Sequence, residues 1–153
     1  MLQRVLAEDG LELQGFTMSG NRATVRRSDE MVVALTIPKP APGARSAFLK
    51  LGARRYQVIS IVMVALVIES DAGRVSAARV AVGACAPVAR RLATLEAALV
   101  GAPLHEALGE VADACHLIGV LDPIDDLRGT ADYRFDATLT LIRRGLSALG
   151  GEQ

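Results

Sequence analysis

The residue types best suited to chemistry gather in one stretch, Pro123-Ile124-Asp125-Asp126-Leu127-Arg128-Gly129-Thr130-Ala131-Asp132-Tyr133-Arg134. Asp126 and Arg128 flank a single residue, so on an extended backbone both side chains point to the same side. Tyr133 and Arg134 follow at the opening of a helix. A carboxylate, two guanidinium groups and a phenol at this spacing could hold an anion and move a proton. The same groups could instead pin the loop through carboxylate–guanidinium hydrogen bonds and a Tyr hydroxyl, which contributes stability rather than catalysis. Asp126, Arg128, Tyr133 and Arg134 are therefore the candidate cofactor- or ligand-binding residues, and no residue is assigned a catalytic role.

The other constellations are weaker. His105 and His116 sit eleven positions apart on one expected helix, roughly 16 Å at 1.5 Å per residue, too far to share a metal ion. Cys115 points about 100° away from His116, so no metal site is expected there. Ser60 lies within an expected strand with no His near it in sequence, and the chain lacks G-x-G-x-x-G, G-x-x-x-x-G-K and G-x-S-x-G. No phosphate cradle or nucleophile elbow is therefore encoded. The doublets Arg26-Arg27, Arg54-Arg55, Arg90-Arg91 and Arg143-Arg144 could clamp an anion only if the fold made them converge; otherwise they are solvated faces.

Composition bounds the function. Seventeen Lys+Arg balance seventeen Asp+Glu in 153 residues, so no electrostatic footprint for nucleic acid or an anionic membrane is present. The longest apolar run, Val58 to Ile68, falls well short of the ~20 residues of a membrane helix. No secretory pattern opens the chain, so a cytoplasmic location is expected. Five aromatic residues and no Trp argue against this chain alone gripping a flavin, a nucleotide or bases. Cys85 and Cys115 are expected to be reduced and buried.

The elements that must position these groups divide near Pro87. Before it the pattern is strand-like. Leu11, Leu13 and Phe16 alternate weakly, Gly20-Asn21 is a turn signal, and Met31 to Ile37 is a β-branched run stopped by Pro38, Pro40 and Pro42. Ser46 to Leu51 reads as a strand with Phe48 and Lys50 on one face and Ala47, Leu49 and Leu51 on the other. Val58 to Ile68 predicts a strand buried on both faces or entered through a short turn, Ser70 to Gly73 a hairpin loop, and Arg74 to Ala84 the partner strand. The apolar phase of that partner shifts between Val75/Ala77 and Val80/Val82, the mark of a bulge or two-sided burial. After Pro87 the period becomes helical: Val88, Leu92, Leu95 and Leu99, then Leu104, Leu108, Val111, Cys115 and Ile118 behind Pro103. A last helix is capped by Thr130, carries Phe135, Leu139, Ile142, Leu146 and Leu149 as its buried stripe, and ends at Gly150-Gly151. The expected fold class is α+β: three to four antiparallel strands packed on one face by about three helices.

From about Asp29 to Leu146 the chain resembles the C-terminal domain of the FAD-binding (medium) subunit of molybdenum hydroxylases. That family includes carbon monoxide dehydrogenases, xanthine dehydrogenases and related aldehyde or hydroxybenzoyl-CoA oxidoreductases. The resemblance is carried by Asp29-Glu30-Met31-Val32 leading to Ile37-Pro38, by Gly43 to Gly52, by Ile59-Ser60-Ile61-Val62, by Val82 to Pro87, and by the Asp126/Arg128/Tyr133-Arg134 block. Met63 stands where the family commonly has Asn, and Ala86-Pro87-Val88-Ala89 replaces its Ala-Pro-Thr-Pro turn. Nothing before Asp29 matches the Gly-rich segments that hold the FAD pyrophosphate in the family. The resemblance implies a domain over residues 29–150 preceded by a linker-like or added segment, 1–28. It implies a module that walls a flavin and docks an FAD-binding domain, an iron–sulfur subunit and a molybdopterin subunit. FAD is expected only where a separate flavin-binding domain is present. Two alternatives stand beside it: a freestanding binding or assembly module, homodimeric in one form, and a repurposed domain with its own small-molecule site at Asp126, Arg128, Tyr133 and Arg134.

Overall fold

Alternating burial along the first half of the chain produces a four-stranded antiparallel sheet, and the second half lays helices over one of its faces. The computed structural model describes residues 29, 31, 37–55 and 57–151, in two units, 1–40 and 41–153. The patterns read at Leu11–Phe16, Gly20-Asn21, Arg26-Arg27 and most of Met31–Ile37 lie outside the described residues. In the first unit the described residues are exposed, and 37–40 carry no regular structure.

In the second unit the strands are β1 (Arg45–Gly52), β2 (Ser60–Asp71), β3 (Arg74–Gly83) and β4 (Arg90–Arg91), in spatial order β1-β2-β3-β4. β1 keeps the expected faces: Phe48 and Lys50 are exposed, while Ala47, Leu49 and Leu51 turn toward the core. Beyond Ile61, which is itself buried where the register with β1 slips, β2 is buried on one face only. Val62, Val64, Leu66 and Ile68 lie in the core, whereas Met63 and Val67 are half-buried and Ala65 is exposed. Its outer face is apolar without being covered, which is why the sequence alone suggested burial on both sides. The hairpin closes through Ala72 and Gly73, both at positive φ (47° and 76°) between the paired Asp71 and Arg74. Two left-handed residues in a two-residue loop match the twist of the flanking strands. The expected phase shift is a bulge: the register slips between Glu69/Ala77 and Ser70/Val75, so Val75 and then Ala78, Val80 and Val82 reach the core.

The first expected helix is shorter than its apolar spacing suggests. α1 is Ala93–Leu99, and Val88 lies before it because Arg90 and Arg91 pair with Val82 and Ala81 as β4. Leu92 donates its amide to the Val80 carbonyl (3.0 Å), and Glu96 Oε1 accepts the Val80 amide (2.8 Å) and Arg91 Nε (2.6 Å) while Glu96 Oε2 accepts Arg91 Nη2 (2.6 Å). Backbone hydrogen bonds to the sheet edge outweigh one further helical turn.

The second expected helix is instead two 3-10 segments, Glu106–Val111 and Ala114–His116. Three side chains bond to nearby amides and break the helix: His105 Nδ1 accepts from Ala107 N (3.0 Å), Asp113 Oδ1 from Cys115 N (3.1 Å) and His116 Nδ1 from Asp113 N (3.1 Å). The buried residues are accordingly Leu108, Gly109, Ala112 and Leu117, while Cys115 and Ile118 are exposed. Cys115 thus departs from its expected burial. α2 (Ala131–Gly151) is the long helix, and Thr130 caps it by accepting the Tyr133 amide (3.1 Å). Arg45 Nη1 donates to the Leu149 carbonyl (2.7 Å), satisfying one of the open acceptors at its far end. α2 covers β1 and β2, α1 covers β3, and Leu66, Leu95, Leu99, Ile142 and Leu146 fill the layer between sheet and helices. The α+β class and single-faced helical layer expected from the sequence are both present. Among the described residues no helix is long and apolar enough to cross a membrane.

Candidate functional site

Three elements bring the candidate residues together: the loop from Asp122 to Thr130, the first turns of α2 and the start of β2. Asp126 is the hub. Its Oδ1 accepts the Arg128 amide (2.8 Å) and Arg134 Nη2 (2.7 Å), and its Oδ2 accepts Arg128 Nη1 (2.7 Å). Backbone bonds between Asp126 and Gly129 close the turn (3.2 and 3.1 Å). Asp126 and Arg128 therefore do point to one side, as their spacing implies. Tyr133 contributes its ring, which lies on Gly129, rather than the hydroxyl pin expected from the sequence.

Arg134 is the surprise. It is 2 % exposed, and Nη1 reaches across to the Ile61 carbonyl (2.7 Å) at the start of β2. Its Nε is buried without a hydrogen-bond partner among the described residues. Thr138, one turn on, donates to the Arg134 carbonyl (2.7 Å) and sits 3.4 Å from the Cys85 sulfur. The inner stripe of α2 keeps the expected Ile142, Leu146 and Leu149 but begins with Arg134 and Thr138 and includes Gly145, with Phe135 and Leu139 only half-buried. The sequence carried the signal: Arg134 and Thr138 lie eight and four positions before Ile142, on its face. A charge at the head of an apolar stripe reads as solvent-facing until a buried partner is known.

The electrostatics follow. The Arg128 amide and the two guanidinium groups hold the Asp126 carboxyl down from 3.8 to about 2. A depressed carboxylate stabilises the folded state above its unfolded pKa and loses that contribution as pH falls through the folded one. Wild type and Asp126→Asn, compared by urea unfolding, are therefore expected to differ fully at pH 5 and above. Their difference should shrink between about pH 4 and about pH 2; a gap that persists to the acid end would assign the effect to shape instead of charge. Burial pushes the Cys85 thiol up. A thiol reagent should thus modify only Cys115 in the native protein, with Cys85 reacting after unfolding. Rapid labelling of both would contradict the packing around Cys85.

The remaining candidates do not converge. Arg54-Arg55 follows β1 and Arg90-Arg91 forms β4, at opposite edges of the sheet, while Arg143 Nε donates to the Ala112 carbonyl (2.9 Å). The two histidines cap separate segments, and among the described residues no three His, Cys, Asp or Glu side chains group as metal ligands. A groove of about 410 Å³, lined by Lys50 to Arg55, opens to solvent. Lys50 there donates to the Val58 carbonyl (2.8 Å). A dinucleotide needs a concave site that buries most of its surface. Neither that open groove nor the internally engaged Asp126–Arg134 cluster fits such a ligand by itself.

The geometry defines an α+β domain of one antiparallel sheet with helices on a single face. The family model for the CO dehydrogenase flavoprotein C-terminal domain matches residues 47–149. The carbon monoxide dehydrogenase medium chain of Hydrogenophaga pseudoflava is 31% identical over 147 residues, 95% of this chain and 48% of that one. A solved Hydrogenophaga pseudoflava carbon monoxide dehydrogenase, described as lacking the Mo-pyranopterin moiety of its molybdenum cofactor, superposes with a TM-score of 0.78 at 32% identity, covering 89% of this chain and 46% of that one. The reconstituted CO dehydrogenase from Oligotropha carboxidovorans, at 24% identity and a TM-score of 0.67 over 74% of this chain and 39% of its own, shares the fold. The chain belongs to the CO dehydrogenase flavoprotein C-terminal domain family. The resemblance read from its motifs is thereby borne out, and the chain spans about half the length of the relatives it matches.

Proposed function

We propose that this chain is the C-terminal module of the FAD-binding subunit of a molybdenum hydroxylase-type oxidoreductase, forming one wall beside the flavin and docking partner subunits during electron transfer. The observation that supports this most is the family match across 47–149 in a chain spanning half of a carbon monoxide dehydrogenase medium chain. Its charged cluster is closed on itself, as befits a domain that positions rather than reacts. FAD, supplied on a flavin-binding domain, carries the redox chemistry. The outer sheet face suits a neighbouring domain: Phe48, Ala65 and Ala81 lie in register across three strands, and Met63 lies over Gly83. Small residues beside one exposed aromatic allow close approach of a second surface.

The test is a flavin titration of the purified chain, alone and with a flavin-binding half. Alone it should take up no stoichiometric FAD, and with the flavin half it should form a one-to-one complex that Phe48→Asp weakens. One flavin per chain without the other half, or a stable homodimer indifferent to it, would sink the reading.

A further inference from the structure

We propose that the chain pairs with a second copy of itself along the outer edge of β1: residues 45–51 of the two copies run antiparallel and join the sheets, and the flanks of the two α2 helices meet above them. The two edges of the sheet differ. One ends in β4, a strand of two residues, too short to template another. The other is β1, eight residues long, which pairs only with β2 among the described residues. It holds no proline, and its register with β2 slips only at Leu51/Gly52. Its lysine, the usual guard of such an edge, is drawn back to the Val58 carbonyl (2.8 Å). The core is open on the same side. Ala47, Leu49 and Leu51 are only half-buried there, whereas Val62, Val64 and Leu66 on the neighbouring β2 are no more than 1% exposed. Above them Gly145 of α2 faces Leu49 and Leu66, while the flank of α2 at Arg143 and Ser147 is taken by the segment Glu106–Val111. Helical spacing then puts Ala137, Leu141 and Ala148 on the β1 side, the first two half-buried and Ala148 exposed. Strand edge and helix flank end together on one apolar side.

Self-complementarity names the occupant. A two-fold pair needs a surface that matches itself. An axis through Phe48, normal to the sheet, sets Phe48 opposite its own copy, Ala47 opposite Leu49, Leu51 opposite Arg45 and Ser46 opposite Lys50. Opposed residues in an antiparallel pair share a face, so the two inner faces stay together under one helical layer. Each basic residue meets a neutral one, and the two facing aromatics add to the pairing. Small side chains at Ala137 and Ala148 let the two α2 helices approach to about 8–10 Å, the ordinary spacing of packed helices. The outer sheet face, on the side away from α1 and α2, stays open on both copies. The pairing therefore goes beyond the proposed function and leaves that face for the flavin half.

Sedimentation equilibrium of the full chain, from about 1 to about 100 µM, should show a monomer–dimer equilibrium. In a Cys115→Ser background, Phe48→Cys should close an intermolecular disulfide under oxidised glutathione, since directly opposed residues hold their Cα atoms about 4.5–5.5 Å apart. Ser46→Cys should not, because four residues, about 13 Å of strand, separate it from its own copy. Ala148→Arg should weaken the dimer about 30-fold or more. Ala148 is exposed, so the urea midpoint of that variant should match wild type, and it should bind the flavin half as wild type does. A monomer across the whole range, equal cross-linking at Ser46 and Phe48, or an undiminished dimer in Ala148→Arg overturns the pairing. A flavin half that splits the dimer into one-to-one complexes also overturns it, and leaves the proposed function standing. A dimer that persists with these cross-links but ignores the flavin half upholds the pairing and sinks the proposed function instead.

Discussion

Arg134→Met is expected to destabilise the domain by about 2–4 kcal/mol, a large share of the 5–15 kcal/mol typical of a folded domain. One guanidinium joins three pieces of chain: it grows from α2, donates to the Ile61 carbonyl on β2 and holds Asp126 in the loop. Methionine fills much of the volume but donates nothing, so the Ile61 carbonyl loses its strong donor and keeps only the weak Cys85 thiol contact (3.9 Å), at a cost of about 1–3 kcal/mol for a buried group. The loop also loses its tie to the helix. Two effects keep the loss below that of a fully stranded ion pair. Asp126 retains Arg128, and the penalty of burying a charge with an unpartnered Nε disappears. Urea unfolding should move the midpoint down by about 1 M or more at the slopes usual for this size. Arg134→Lys should recover less than half, since an ammonium cannot address both acceptors in the fork geometry. A midpoint unchanged by Arg134→Met would show that the network is decorative.

Gly109→Ala should cost about 3 kcal/mol, at the upper end of what inserting one methyl usually costs. A Cβ there would collide with the Arg143 carbonyl oxygen, and lie 2.5 Å from Ser147 Oγ, in the body of α2. Backbone within a 21-residue helix cannot turn aside, so the 3-10 segment Glu106–Val111 must lift from α2 and expose Leu108. Gly145→Ala is the matched comparison. Its Cβ would meet the methyl ends of Leu66 and Leu49, which can rotate, and alanine gains about 1 kcal/mol over glycine inside a helix. The net change at Gly145 should stay within about 1 kcal/mol. The reverse order of the two effects would mean that the contact between the 3-10 segment and α2 is looser than described.

The two variants mark different levels of legibility. Gly109 lies within a helical pattern that gives it no special role, and nothing in its neighbours names Arg143, thirty-four positions away. Arg134 was singled out by its company, yet its burial was not foreseen, because a charge is expected in water until a partner carboxylate and carbonyl are placed beside it. Thr138 and Cys85, which complete its surroundings, carried no signal of their own.

What the sequence by itself determined were features written in local chemistry. Alternation set the strands and their inner faces, Ala72-Gly73 set the hairpin, Thr130 set the start of α2, and the motif series set the family. Tertiary structure decided the rest. It made Arg90-Arg91 a strand because β3 needed partners at its edge, and it divided the expected middle helix because His105, Asp113 and His116 bond to nearby amides where α2 must pass Gly109. It also drew Arg134 inside, since only the folded chain brings the Ile61 carbonyl and Asp126 within reach of one side chain. The division is physical: periodicity and capping act over a few residues, whereas the energy of a buried charge or a close backbone approach depends on atoms that the chain brings together only when it folds.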